Sequence, residues 1–414
     1  MGSLSHSEIS HNIKYNTLNG IFATMGMNLV TPFISVWAMG LGATNLQIGL
    51  ISSLPPAVGL VAMLPGAFFV DRFTAKRSIT GAFIFFNRLF YVLLALTPIL
   101  PAHQVWFLVI MNGLMNFPGS ISNVAWQSFI AGAIPAQERA RAFAQRNRLT
   151  HLFGIAVTFL AGQIFRVVPV ARHSTLYQIF FVTAFAFALA EVWSHMQMRE
   201  IVSEVAAGKT KLSTRQTFKA ILSARPFLNF CACSLVFHFG WQMGWPLFSI
   251  FQVRNLGANE TWVSIISVVS GAGSFISFGF WRRLIEKRGN HVALAVAAMG
   301  ISSTPFFYSI SSSLYHLILA NALVGMAVAG INLTLFNSLL DAVPEQSRTI
   351  YIAAYTMLIN ISAVIAPMVG IAILDKWNII AALLVAGAVR LLGTCTFFLR
   401  SRKISKVPGQ EAAA

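Results

Sequence analysis

The sequence predicts an all-α membrane protein: twelve transmembrane helices forming two pseudo-symmetric six-helix bundles. Three observations predict it. First, of 414 residues, 56% are hydrophobic and 10% charged, whereas soluble proteins carry about a quarter charged residues. Such a chain cannot cover itself with polar surface. Second, the apolar residues fall in long runs without a two-residue alternation. The bilayer admits helices or closed barrels, and runs of about 20 residues that do not alternate are helices. Third, polar and proline positions in the first half recur in the second at a nearly constant offset.

In chain order the spans are expected at 14–39, 46–70, 79–99, 104–133, 145–167 and 176–197, then at 226–252, 261–284, 291–311, 315–341, 349–374 and 378–399. The segment from Ser3 to Asn16 is polar and has no apolar core with a small-residue cleavage site, so the first span serves as the insertion signal. Connections are short except for 198–225, which is polar and basic and divides six spans from six. The expected organisation is therefore an N-terminal bundle at 1–197, a cytoplasmic linker at 198–225 and a C-terminal bundle at 226–414. The linker reads either as a tether between two moving halves or as a plain solvated loop.

Orientation follows from lysine and arginine. With the N-terminus inside, 23 of the 29 basic residues fall on inner segments, four on outer ones (Arg166, Arg172, Arg254 and Lys376) and two, Arg88 and Arg390, within spans. Both termini are thus expected in the cytoplasm. The formal net charge of +17 is accounted for by a basic inner surface facing membrane lipids, without nucleic acid. Cys231, Cys233 and Cys395 all lie in apolar runs and form no disulfide framework or zinc spacing. No cofactor or metal site is expected, and no enzyme signature is present.

The repeat is specific. Gly26, Asn28, Pro32 and Ser35 correspond to Gly240, Gln242, Pro246 and Ser249 at an offset of 214. Arg72, Lys76 and Arg77 correspond to Arg283, Lys287 and Arg288 at 211. Asn123, Pro135 and Arg139 correspond to Asn332, Pro344 and Arg348 at 209. Three matches in chain order indicate a duplicated six-helix unit. Between spans 2 and 3 lies Ala67-Phe-Phe-Val-Asp71-Arg72-Phe-Thr-Ala-Lys76-Arg77. This loop resembles the signature between helices 2 and 3 of the major facilitator superfamily of transporters, with Ala67 and Thr74 at that signature's glycines. The parallel six-span repeat is also what that superfamily has. The segment Pro135-x-x-Glu138-Arg139-x-Arg141-x-Phe143-x-x-Arg146-Asn147 is similar to that of many bacterial members, of no single substrate class.

The resemblance implies secondary transport by alternating access, with spans 1, 4, 7 and 10 lining a central cavity. Polar stripes fall on those four spans, at helical spacing. Span 1 carries Thr24, Asn28, Thr31 and Ser35; span 4 carries Asn112, Asn116, Gly119, Asn123 and Gln127; span 7 carries His238, Trp241, Gln242 and Trp245; span 10 carries Asn321, Gly325 and Asn332. An amide in hydrocarbon needs a partner or water. It either lines a cavity or joins helices. The expected substrate-binding set is Asn28, Thr31, Asn116, Asn123, Gln127, His238, Trp241, Gln242, Trp245 and Asn332. Pro32 and Pro246 each free the carbonyl four residues earlier, beside Asn28 and Gln242, which the repeat makes equivalent and expected to face each other across the pseudo-twofold axis. His238 with Trp241 and Trp245 reads as an aromatic wall with one titratable group, or as a packed aromatic seam.

The resemblance assigns gating to Asp71, Arg72, Lys76, Arg77, Arg139 and Arg141, with Asp71 meeting the N-terminal end of span 11 near Thr349 when the inner side is closed. It also sets spans 3 and 6 side by side, so Arg88 and Glu191, at similar depth, are expected to form a structural ion pair. Arg390 is expected to snorkel inward. No carboxylate lies at the middle of a cavity helix, which favours a neutral or anionic solute over a cation. The antiporter signature of drug exporters is absent from span 5; Ala366-Pro367-x-x-Gly370 in span 11 is a weak echo of it. Protons are a candidate coupling ion, through His238 or His151. The expected function is export of a small organic solute by a monomer in the bacterial inner membrane. The alternatives are an uptake permease for a sugar-like or carboxylate solute, a lipid flippase and a non-transporting receptor.

Overall fold

A computed structural model of the chain describes residues 6–73, 75–200, 221–343 and 348–404. Every regular element among them is helical. Most of the expected linker, residues 201–220, lies outside the described residues, as does Thr74 of the loop between spans 2 and 3. The chain divides into two compact units. One is Met1–Lys209 with Asn259–Ser264; the other is Thr210–Ala258 with Ile265–Ala414. The short stretch Asn259–Ser264 thus belongs by its packing to the first unit.

The first unit is built from α1 (His6–Val30), α2 (Ile34–Gly40), α3 (Asn45–Asp71), α4 (Lys76–Ala95), α5 (Gln104–Leu114), α6 (Asn116–Ala133), α7 (Ala136–Val167) and α8 (His173–Gln197). The second contains α9 (Arg225–Ile250), α10 (Glu260–Arg288) from Ile265 onward, α11 (Asn290–Ser302), α12 (Thr304–Ile310), α13 (Leu314–Asp341), α14 (Arg348–Lys376) and α15 (Ile379–Ile404). Among the described residues, eleven helical segments are long and apolar enough to cross a membrane. The seventh expected span, α9, has 26 residues and is not among the eleven; Asn229, His238 and Gln242 dilute its apolar character.

Three expected spans are each two helices, and proline explains the divisions. Pro32 sits in a 3₁₀ turn, Thr31–Phe33, between α1 and α2. Pro118 lies just inside α6, four residues beyond the last residue of α5. Pro305 lies at the start of α12. Each removes a donor to the carbonyl four residues back and crowds it. Thr44 and Gln47 form a reciprocal capping box on α3, with Thr44 N–H donating to Gln47 Oε1 at 2.8 Å.

Packing repeats between the units. In the first, α1 packs on α7 and α8, and α4 on α6 and α8. In the second, α9 packs on α14 and α15, and α11 on α13 and α15. These are the same pairings at equivalent places, so the duplication seen in the sequence is a duplication of helix contacts. Approach is close where α13 crosses α10. A Cβ on Gly325 would stand 1.9 Å from the Ser270 carbonyl oxygen, so only glycine lets these backbones touch. Ser274 Oγ then donates to the Gly325 carbonyl at 2.6 Å, and Trp281 Nε1–H to that of Met326 at 2.7 Å.

Candidate functional site

In the first unit, the cavity stripe divides by exposure. Asn123 and Gln127 on α6 are exposed, and Gln127 Nε2–H donates to Asn123 Oδ1 at 3.3 Å. Thr31, in the proline turn, is exposed. Asn116 is half-buried at the start of α6 and donates to the Asn112 carbonyl at 3.1 Å, bridging the break that Pro118 makes. Asn28 points elsewhere. Its Nδ2–H donates to the Thr24 carbonyl at 3.0 Å, and its Oδ1 accepts from Thr158 Oγ1 of α7 at 3.2 Å. The carbonyl that Pro32 frees at Asn28 also lies 3.4 Å from the Thr158 hydroxyl. That carbonyl has a partner inside the unit, and Asn28 takes the helix-joining role.

In the second unit, Trp245 and Asn332 are exposed, and neither side chain has a hydrogen-bond partner among the described residues. Gln242 is 2% exposed and donates to the Ile359 carbonyl of α14 at 3.2 Å. It therefore bonds within its own unit, as Asn28 does. His238 is buried. Its Nδ1 lies 2.8 Å from the Ser234 carbonyl, an acceptor, so Nδ1 carries the proton. Ser234 Oγ in turn lies 2.7 Å from Tyr355 Oη. The His238 ring packs at 5.6 Å from Trp241 and 5.7 Å from Phe237. Of the two readings of this aromatic group, the packed seam describes His238 and Trp241, and Trp245 stands out from it.

Arg390 does not snorkel. It is 1% exposed and donates to three carbonyls: Gly240 at 3.0 Å, Trp241 at 3.0 Å and Ile301 at 3.1 Å. Its guanidinium also lies 5.2 Å from the Phe248 ring centroid. The physical reason is local. Pro305 takes the usual helical donor from Ile301, and Gly240 and Gly244 have no Cβ to obstruct the guanidinium. A Cβ on Gly244 would stand 2.4 Å from Arg390 Nη2. Arg390 thus ties α9, α11 and α15 together.

Arg88 and Glu191 meet in a forked pair, Nε–Oε2 at 2.9 Å and Nη2–Oε1 at 3.2 Å, with Nη1 donating to Tyr91 Oη at 3.1 Å. Among the proposed gate residues, Asp71 and Arg72 are exposed at the end of α3. Lys76 and Arg77 begin α4, and their backbone N–H groups are capped by Glu200 Oε1 at 2.7 Å and Oε2 at 2.8 Å. Arg139 donates to the Ile134 carbonyl at 2.9 Å and the Ala131 carbonyl at 2.6 Å, closing the C-terminal end of α6. Arg141 is exposed and lies 3.9 Å from Glu138. Among the described residues neither arginine makes an ion pair with Asp71; both have nearer partners in their own segment.

Sequence reasoning missed three features. Glu200 caps α4 from 123 to 124 residues away, a distance at which no local pattern signals it. Arg146 donates to the Asn16 carbonyl at 3.3 Å and lies 4.9 Å from the Trp126 ring centroid, partners that the sequence does not signal. Glu260, at the start of α10, is buried against α8. Cys231, Cys233 and Cys395 are free thiols.

Paired six-helix units, a basic loop after the second span and exposed polar groups on otherwise apolar helices define a polytopic membrane transporter. The sequence profile of the Major Facilitator Superfamily matches residues 17–239 and 230–413, and the chain belongs to that superfamily. It is a transporter rather than an enzyme. A protein of Lactococcus lactis described as a multi-drug resistance efflux pump PmrA homolog is 24% identical over 411 residues, covering 95% of each chain. Among solved structures, a bacterial homolog of the human lysosomal transporter Spinster, in an inward-facing and unoccupied conformation, superposes with a TM-score of 0.72. It is 13% identical and covers 98% of this chain and 100% of that one. A D-xylose-proton symporter superposes at 0.71, with 14% identity and coverage of 96% and 98%. At these identities the structural likeness establishes the fold.

Proposed function

We propose that the protein is a secondary transporter that exports a small neutral or anionic organic solute, which binds to exposed polar and aromatic side chains on its apolar helices. One observation carries this reading: Asn123 and Gln127 on α6, and Trp245 on α9 and Asn332 on α13, stay exposed on long apolar helices. Amides directed at lipid would be costly, so these side chains suit a water-filled path. Asn123 and Asn332 are equivalent in the repeat. Thr31 and Asn116 extend the first face. The relative described as an efflux pump supports export, and the basic inner loops support a bacterial cell membrane setting with both termini cytoplasmic. Asp71 and Arg72, exposed at the end of α3, are proposed as part of an inner latch.

The test is binding. Purified protein screened by thermal shift against a solute library is expected to yield neutral or anionic hits. Trp245→Ala and Asn332→Ala should weaken those hits by at least about tenfold each, as expected for loss of a polar or aromatic contact. Hits confined to organic cations, or affinities unchanged in both variants, would overturn the reading.

A further inference from the structure

Glu260 opens α10 and lies in the Asn259–Ser264 stretch that packs with the first unit. Its side chain is 10% exposed, and that of His173, the first residue of α8, is 14% exposed. Glu260 Oε1 stands 3.3 Å from His173 Nδ1 and 3.0 Å from Tyr177 Oη. His173 Nε2 stands 3.2 Å from the Val168 carbonyl oxygen. Phe165 of α7 packs against both rings, 5.1 Å from His173 and 4.9 Å from Tyr177, and Trp37 of α2 stacks on Tyr177 at 4.7 Å. Thr261 Oγ1 donates to the Gly162 carbonyl of α7 at 3.0 Å.

Counting protons fixes the state of the cluster. The Val168 carbonyl can only accept, so Nε2 of His173 must carry a hydrogen. In neutral imidazole that leaves Nδ1 as a bare lone pair. An ionised Glu260 also offers only lone pairs. Neutral histidine facing ionised carboxylate would place lone pair against lone pair in a nearly dry site, which costs free energy with no bond to offset it. The contact therefore needs one more proton between Nδ1 and Oε1. It is held either as imidazolium facing carboxylate or as neutral imidazole facing carboxylic acid. In either form the net charge of the pair is zero. The Tyr177 hydroxyl donates to the same oxygen; the Phe33 carbonyl, at 3.5 Å, is its weaker alternative.

We propose that Glu260, His173 and Tyr177 form a proton-binding site that fastens the Asn259–Ser264 turn to α7 and α8. Loss of the shared proton leaves a net negative pair with opposed lone pairs, and the turn is released. Where a solvent-exposed histidine is neutral and a glutamate ionised, the released turn holds one proton fewer than the docked one, so docking weakens as pH rises through that range. Other charges do not substitute. Arg166, which follows Phe165 on α7, and Arg172, which precedes His173, are exposed and make no ion pair with Glu260 among the described residues. From the proline turn and α2 the groups facing the cluster are the Phe33 carbonyl and the Trp37 ring, neither of which titrates. Neither His238 nor His151 is part of this cluster. The site stands apart from the solute contacts proposed above, so it is tested without a solute.

The experiment is hydrogen exchange by mass spectrometry on the full-length protein in lipid nanodiscs, across pH, corrected for intrinsic exchange. Protection of the peptide containing Asn259–Ser264 should fall by about tenfold or more as pH rises. In Glu260→Gln the side-chain amide can donate to the bare Nδ1 at any pH, so the turn should stay protected with a flat profile. His173→Gln, which also cannot titrate, should likewise flatten the profile and serves if the first variant does not fold. A flat profile in the unmodified protein, or the same pH dependence in the protein and both variants, would overturn the proposal.

Discussion

Removing one partner of the Arg88–Glu191 pair should be among the most damaging single changes available in the first unit. The pair is forked at 2.9 and 3.2 Å, and its side chains are 12% and 7% exposed. In Glu191→Gln, Arg88 loses its counter-charge and keeps only neutral acceptors, the new amide oxygen and the Tyr91 hydroxyl at 3.1 Å. In Arg88→Met, the Glu191 carboxylate keeps no ion pair among the described residues. The Asn19 bond at 3.0 Å goes to the Glu191 main-chain carbonyl and survives both changes. Stranding one charge of a buried pair costs about 3–5 kcal/mol. At about 2 °C per kcal/mol for a long chain, that is a fall of roughly 6–10 °C in melting temperature. The double variant Arg88→Met/Glu191→Gln strands no charge and should regain a good part of the loss, with a coupling of at least about 1.5 kcal/mol. The assay is thermal unfolding of the four proteins in one detergent. Strictly additive losses would refute the reasoning, because groups bonded as these are cannot contribute independently.

Arg390→Met should lower stability by at least about 2 kcal/mol, since it removes three hydrogen bonds from a buried cation, to the Gly240, Trp241 and Ile301 carbonyls; an unchanged melting temperature would show the guanidinium to be dispensable. Gly325→Ala forces α13 away from the Ser270 carbonyl and should cost roughly 1–3 kcal/mol, read by the same assay. Glu200→Ala removes the cap from Lys76 and Arg77 and should cost about 1 kcal/mol, with increased hydrogen exchange confined to the start of α4. Asp71→Asn should cut solute flux while leaving the melting temperature in place; normal flux in that variant would remove Asp71 from the gate.

Much of the fold was legible because its causes are local or periodic. Long apolar runs dictate helices in lipid, and the recurrence of Asn123, Pro135 and Arg139 as Asn332, Pro344 and Arg348 marks the duplicated unit. The Arg88–Glu191 contact could be expected because two opposite charges in lipid at one depth have few other partners. The site was less legible. Gln242 and Trp245 are three residues apart on one stripe, yet one is buried against α14 and the other exposed. A stripe that wide does not reveal the rotation of its helix; Gln242 turns toward the Ile359 main-chain carbonyl, which accepts from it. Asn28 stands one turn before Pro32, which frees its main-chain carbonyl. The Thr158 hydroxyl that takes that carbonyl comes from 130 residues away, and no periodicity points to it. Arg390 looked like a snorkelling cation because its partners are main-chain carbonyls, which carry no sequence signal. Glu260 and His173 are separated by 87 residues and became a pair only in three dimensions.

Solute flux in sealed vesicles tests the central claim most directly. Everted membrane vesicles carrying the protein, free of ATP and given an imposed ion gradient, would be supplied externally with the solute that most stabilises the purified protein. Accumulation inside those vesicles, lost in Asn332→Ala and Trp245→Ala and restored in neither by ATP, is the result expected of an exporting secondary transporter. Accumulation only in right-side-out vesicles, or flux unchanged in both variants, would contradict it.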